Sequence, residues 1–455
     1  MQNIVNAVDK YRELILEAER YIWNNPETGY KEFKTSKYME EKFELLGYSI
    51  TKADNIPGFF TVVDTGREGP TVLVLAELDA VICRSHPEAN PETGAVHACG
   101  HNAQCAAMLG VAAALKDDKI VDALSGKIML CVVPAEESLE MEFRADLREK
   151  GIIKYTGGKS EFLSRGYFDE VDMAFMVHTG GGGINGGAHI SYGGRSLGFV
   201  GKTITYKGVA AHAGGAPWLG KNALYAANAG LAAVNALRET FRDCDHVRWH
   251  PIMTVGGDIV NNIPETARIE SMLRAVSYEA LERENKKVNQ ALIGAAISFG
   301  VEIEIVDEPG YAPLYHDKNL AVAAKKAFDR VIPLIDTPAK SCGESFEGVG
   351  GGTMDMGDLA MLMPVIHPYM GGSEGKGHGN DYYIVNPETA CVTNAKWQVA
   401  ILTVLLENNA EEAKKIVKEY KAPFATKEEF LSHQDKMRKS GDCVEYSADG
   451  KIIIK

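Results

Sequence analysis

The chain has 455 residues, of which 45% are hydrophobic and 24% charged, and its formal net charge is 48 − 62 = −14. That length exceeds one ordinary core, so two domains are expected. The acidic balance argues against nucleic acid and anionic membrane as partners, but leaves room for an anionic small substrate in a locally positive pocket.

Residues 3–23 read as an amphipathic helix with mixed charges, without the basic end and apolar core of a signal peptide. No run approaches the roughly 18 apolar residues of a membrane helix. After a break at 24–30, a second helix is expected over 31–46 and an extended segment over 48–64. The run 71–78 is almost wholly apolar, the mark of a buried parallel strand, and it ends at Asp79. An alanine-rich helix follows over 103–116. A second buried strand, 127–133, ends at Glu136-Glu137, and a third, 171–177, ends at His178. Strands alternating with helices predict an α/β domain with a mainly parallel sheet. Ligands of such sheets bind outside the carboxyl ends of the strands, where Asp79, Glu136, Glu137 and His178 all lie.

Residues 179–194 are glycine-rich and read as a linker or hinge. Next come a strand (199–207), a helix (222–242), two strands (251–256 and 267–276), a helix (278–299) and a strand (301–306). That order predicts an inserted ferredoxin-like α+β domain. The first pattern then resumes, with a helix at 319–331, a glycine-rich turn and short helix at 346–362, a strand at 363–369, a glycine-rich loop at 371–383 and a helix at 388–406. A charged tail, 410–455, ends in a turn and a small strand and suggests no function. The expected division is 1–195 and 308–455 for the first domain, tail included, and 196–307 for the insertion. The eight cysteines are scattered and read as reduced thiols, which points to the cytoplasm.

Cys99 and His101 flank Gly100 in a tight loop before the alanine-rich helix, and a thiolate with an imidazole suits zinc or another borderline metal. The helix start is expected to lower the Cys99 pKa. The alternatives are a buried cysteine beside a capping histidine, and a catalytic cysteine. Glu136 and Glu137 repel each other unless a cation or proton intervenes. One can bind metal while the other serves as general base on the attacking water. Taken singly, His178 and His378 read more readily as structural histidines than as ligands, and His212 reads as a turn histidine.

Several ordered motifs resemble the M-twenty metallopeptidase family, and its amidohydrolase branch most of all. They are Asn25-Pro-Glu-Thr-Gly-Tyr-Lys-Glu32 with Thr35-Ser36, Glu77-Leu-Asp79-Ala80, His97-Ala-Cys-Gly-His-Asn102, Pro134-Ala-Glu-Glu137, the 208–217 stretch around His212, Asn261-Asn-Ile-Pro264, and the stretch from His378 to Tyr382. The resemblance spans residues 10 to 406. It implies a two-domain di-metal exopeptidase-like fold and hydrolysis of the amide bond of an N-acyl amino acid or dipeptide. It implies two divalent metal ions per subunit, zinc or manganese, held by Cys99, His101, Glu137, His178 and His378, with Cys99 bridging. Glu136 matches the general base. His212 matches a histidine that serves the partner subunit's site, which implies a homodimer through the inserted lid domain. Asn262 and Arg274 resemble contacts to a substrate carboxylate. Asn102 stands where many members have Asp, Gln104 where many have His, and the loop 81–96 is longer than usual. A non-catalytic binding protein on the same fold is the competing reading.

Overall fold

The computed structural model describes residues 1–181, 188–191, 193–336, 339–341, 348–447, 449 and 451–455. The chain forms two compact units. The first comprises residues 1–195, 315–348 and 358–427, and the second 196–314, 349–357 and 428–455.

The first unit is built on Thr71–Glu77, which is buried at every position. A strand covered on both faces needs apolar side chains on both, which is why its sequence does not alternate. It pairs in parallel with Lys127–Val133 and with Met173–Phe175, and the latter pairs in parallel with Val365–Ile366. Phe59–Asp64 adds an antiparallel strand beside Lys127–Val133. The expected mainly parallel sheet is therefore present. A second sheet pairs His178–Gly181 in parallel with Tyr369–Glu374, so that His178 stands opposite Tyr369.

The helix His101–Ala114 is buried at all of its residues. Alanine and glycine let neighbouring helices approach it closely. A Cβ on Gly110 would lie 2.7 Å from the Ala395 side chain and 2.8 Å from Ile15. The helical stretch Glu388–Glu419 is long and apolar enough to cross a membrane by length and composition, although polar residues interrupt its apolar run. Of its apolar window, 94% is buried inside the protein. The stretch breaks at Glu407–Ala410, where Asn408, Asn409 and Ala410 take positive φ, close to the helix end expected at 406.

The second unit has the expected strand-helix-strand-strand-helix-strand order, with bounds Gly198–Lys207, Ala223–Leu237, Arg248–Val255, Thr266–Ala275, Tyr278–Phe299 and Glu302–Pro309. Its sheet places Gly198–Lys207 centrally, antiparallel to both Thr266–Ala275 and Glu302–Pro309. Residues 428–455, expected with the first domain, belong here instead. Lys439–Tyr446 pairs antiparallel with Glu302–Pro309, and Ile452–Ile454 extends the sheet by one more strand. Val444 joins the core that contains Ile303 and Ile305. Burial of that apolar residue and the free edge of Glu302–Pro309 account for the tail's placement. Residues 182–187 and 192 of the glycine-rich hinge, and residues 346–347 at the start of the next turn, lie outside the described residues.

Candidate metal centre

Three strand ends and two loops of the first unit meet at one point. Thr71–Glu77 delivers Glu77 and then Asp79. Lys127–Val133 leads into the turn Pro134-Ala-Glu-Glu137, and the third strand leads to His178. Ala135 holds a positive φ of 59°, a costly conformation for a residue with a Cβ. Its N–H donates to Glu32 Oε1 at 2.8 Å. The buried Arg144 donates to the carbonyl oxygens of Thr156, at 2.7 Å, and Glu137. The turn thus hangs from a buried carboxylate on one side and a buried guanidinium on the other. Asp79 Oδ2 accepts from the Glu137 N–H at 2.7 Å, which ties two strand ends together.

Gly100 satisfies two demands at once. Its φ is 85°, and a Cβ there would lie 2.1 Å from Thr179 Oγ1 and 2.4 Å from the Tyr382 hydroxyl. Those two hydroxyls share a 2.7 Å hydrogen bond beneath the loop. Only glycine fits a left-handed residue pressed on such a floor. The loop therefore turns sharply and presents Cys99 and His101 on either side.

The donor atoms fall into overlapping groups, each within 4.8 Å: Cys99, His101 and His178; Cys99, Glu137 and His378; and Glu77, His101 and Glu136. Cys99 is common to the first two. Its Sγ lies 3.4 Å from His178 Nε2, and His378 Nε2 lies 3.0 Å from Glu137 Oε1. His101 Nδ1 is 2.8 Å from the Asp79 carbonyl oxygen, which leaves Nε2 to face the site. Among the described residues, His101 Nε2 and Glu137 Oε1 are buried without a directed hydrogen bond, although each has an ionisable neighbour in range. Buried polar atoms are normally satisfied, so lone pairs left over in a cluster of thiol, imidazole and carboxylate donors fit a cation.

The electrostatics agree. Burial pushes the Cys99 thiol well above its usual range, and Glu137 and Glu136 push it further. The expected lowering by the helix start does not occur, because neighbouring carboxylates and desolvation outweigh the helix terminus. A thiolate here needs a cation. Burial opposes protonation of His101, but Glu77 and Asp79 outweigh it and hold the imidazole at about 10. The acidic neighbours thus favour positive charge at the place where the donors converge.

A cavity of about 640 Å³ opens over this cluster, lined by Cys99, His178, Tyr369, Ser373, His378 and Tyr382 among others. That volume suits a small ligand.

Glu136 joins the first-unit cluster with the five expected ligands. His212, Asn262 and Arg274 belong to the second unit. His212 bridges to Asn262, and its Nδ1 accepts from the N–H groups of Gly214 and Gly215 at 3.1 and 2.9 Å. Arg274, on Thr266–Ala275, donates to the Gly351 carbonyl oxygen at 3.2 Å, and its Nε is buried without a partner among the described residues. Three residues near the cluster were not singled out as site residues by sequence reasoning: Glu77, Lys159 and Arg144. Glu77 had two signals, a lone charge inside an apolar run and its place in the Glu77-Leu-Asp79-Ala80 motif.

Residues 73–402 match the model of Peptidase family M20/M25/M40. The chain belongs to that family. It is a hydrolase, and the donor set fits two divalent ions. Mouse Xaa-Arg dipeptidase is 27% identical over 389 residues, covering 82% of this chain and 80% of that protein. Indole-3-acetyl-aspartic acid hydrolase from Enterobacter agglomerans is 24% identical over 371 residues, covering 69% and 80%. Among solved structures, a dinuclear metal binding peptidase of the M20 family from Bacillus subtilis superposes with a TM-score of 0.63 at 18% identity, covering 88% of this chain and 99% of its own. An aminobenzoyl-glutamate utilization protein from Klebsiella pneumoniae gives 0.64 at 18% identity, covering 87% and 96%. These likenesses support the fold of this hydrolase, including an inserted second domain.

Proposed function

We propose that this family member hydrolyses the amide bond between an acyl or aminoacyl group and an amino acid. The observation that carries the reading is Cys99, which lines a small cavity and is shared by two donor groups, one of which includes Glu137. Two divalent ions, when bound, polarise the scissile carbonyl and make water a nucleophile near neutral pH. Cys99, His101 and His178 would hold one, and Cys99, Glu137 and His378 the other. Thiolate ligation favours zinc over manganese.

Glu136 is left as the general base. Its carboxylate takes a proton from the attacking water and delivers it to the leaving nitrogen, so that the amine departs neutral. In His212, Nδ1 is occupied by two backbone N–H donors, so the ring proton sits on Nε2. That N–H is suited to donate to the oxyanion at the reacting carbon. We assign this role to His212 in a homodimer, acting in the site of the partner subunit. Asn262, beside it, and Arg274 are assigned to the substrate carboxylate. The relatives named for a dipeptide and for an indole-3-acetyl-aspartic acid support an amino-acid leaving group.

The test is a screen of N-acyl amino acids and dipeptides with the wild-type chain and Glu136→Gln, with metal content measured in both. The wild type should turn over at least one compound. The variant should lose at least about 10²-fold in kcat while binding the same metal. Full activity in Glu136→Gln would overturn the assignment.

A further inference from the structure

The five expected ligands leave one carboxylate of the cluster without a role. Glu77 is buried at the end of the central strand. Its Oε1 accepts from Lys159 Nζ at 2.6 Å, and Lys159 is itself buried on the short helix Gly158–Ser164. Its Oε2 accepts from Gln104 Nε2 at 3.0 Å, and Gln104 Oε1 in turn accepts from the Glu77 backbone N–H at 3.3 Å. The carboxylate is therefore fixed in orientation by two side chains from two different helices.

That orientation aims Oε2 at the metal-binding donors. Oε2 lies 3.1 Å from His101 Nε2, the nitrogen not occupied by Asp79. Nε2 makes no directed hydrogen bond among the described residues. Glu136 offers a further oxygen within the same 4.8 Å group. His101 Nε2 and Glu77 Oε2 form an ion pair, and with the second carboxylate beside them they present an imidazole nitrogen and carboxylate oxygens that a cation can take in place of the imidazole proton.

We propose that Glu77 is a ligand of the metal ion that His101 holds, with Lys159 and Gln104 as its positioning residues. The inference rests on the two-metal reading above and adds a carboxylate to it. Lys159 occupies Oε1, and Oε2, which accepts one hydrogen bond from Gln104, keeps its second lone pair for the ion. Its buried ammonium also offsets part of the negative charge that Glu77, Asp79, Glu136, Glu137 and a Cys99 thiolate gather in a small volume.

The competing role for Glu77 is only to neutralise Lys159, and a set of variants separates the two. The full-length chain is stripped of metal and titrated with Zn²⁺ against a competing chelator, alongside a thermal melt. The variants are Glu77→Gln, Lys159→Met and the double variant Glu77→Gln/Lys159→Met. The double variant removes both buried charges, so it tests binding even where Glu77→Gln alone fails to fold around an unpaired lysine. Wild type should bind two ions. The double variant should melt cooperatively and hold one of the two at least about 10-fold more weakly, with the other unchanged. Lys159→Met, which keeps the carboxylate, should retain two ions. A folded double variant that binds both ions as the wild type does would overturn the proposal. A wild type that fails to bind two ions would overturn the metal centre itself.

Discussion

Glu19 shows what burial does to a single side chain in this protein. It lies on the helix Arg12–Trp23 at 2% exposure, accepts from Asn102 Nδ2 at 2.8 Å, and has Arg20 at 3.5 Å. Burial pushes its carboxyl up to about 7, against the pull of Arg20 and Asn102. The unfolded value is about 4.5, so between the two values the folded chain binds more protons than the unfolded chain. Stability contributed by this group therefore falls as pH rises from about 4.5 to about 7. Glu19→Gln keeps the hydrogen-bond acceptor and removes the ionisation. It should melt at a higher temperature than wild type at pH 8, by a stability gain on the order of 2 kcal/mol, with the difference vanishing near pH 4. Equal melting at pH 8 would count against the account. The same scale shows what could be read in advance. Cys99, His101 and the Glu136-Glu137 pair stand out because such groups are rare beside buried strands. Glu77 stands out as one charge in an apolar run. Lys159 does not, because it follows two glycines in a stretch that reads as loop.

At the scale of elements, the site depends on how strand ends are anchored. The turn at Ala135 carries a positive φ and is tied down by Arg144 and Glu32. Arg144→Leu removes donors from buried carbonyl oxygens, including that of Glu137. It should cost about 3 kcal/mol of stability and weaken metal binding. Unchanged melting and unchanged metal content would show that the turn holds itself. The strands were readable because burial on both faces writes an apolar run. The helices that carry Arg144 and Lys159 were not. Met141–Glu149 buries only Arg144, so it has no apolar stripe, and Gly158–Ser164 is seven residues long and begins with glycine. Local sequence does not encode these helices; contacts with the strand ends do.

At the scale of the whole chain, the inserted domain was readable from the order of its elements, whereas the return of the tail to its sheet was not. Lys439–Tyr446 pairs with a strand more than a hundred residues earlier, and no local pattern specifies such a partner. The proposed sharing of a site between subunits also belongs to this scale. His212→Ala and Glu136→Gln subunits should each be nearly inactive alone, and mixing under subunit exchange should restore part of the activity. No recovery in verified mixed dimers would argue against a site completed by a partner.

The proposed role of Cys99 is to serve two metal ions and not an acyl group. The direct measurement is hydrolysis of an N-acyl amino acid by metal-stripped chain as Zn²⁺ or Mn²⁺ is added back in counted equivalents. Activity should be absent after stripping and should return as the ions are restored, reaching its plateau near two per chain. Activity that survives stripping but is abolished by a thiol reagent would contradict it.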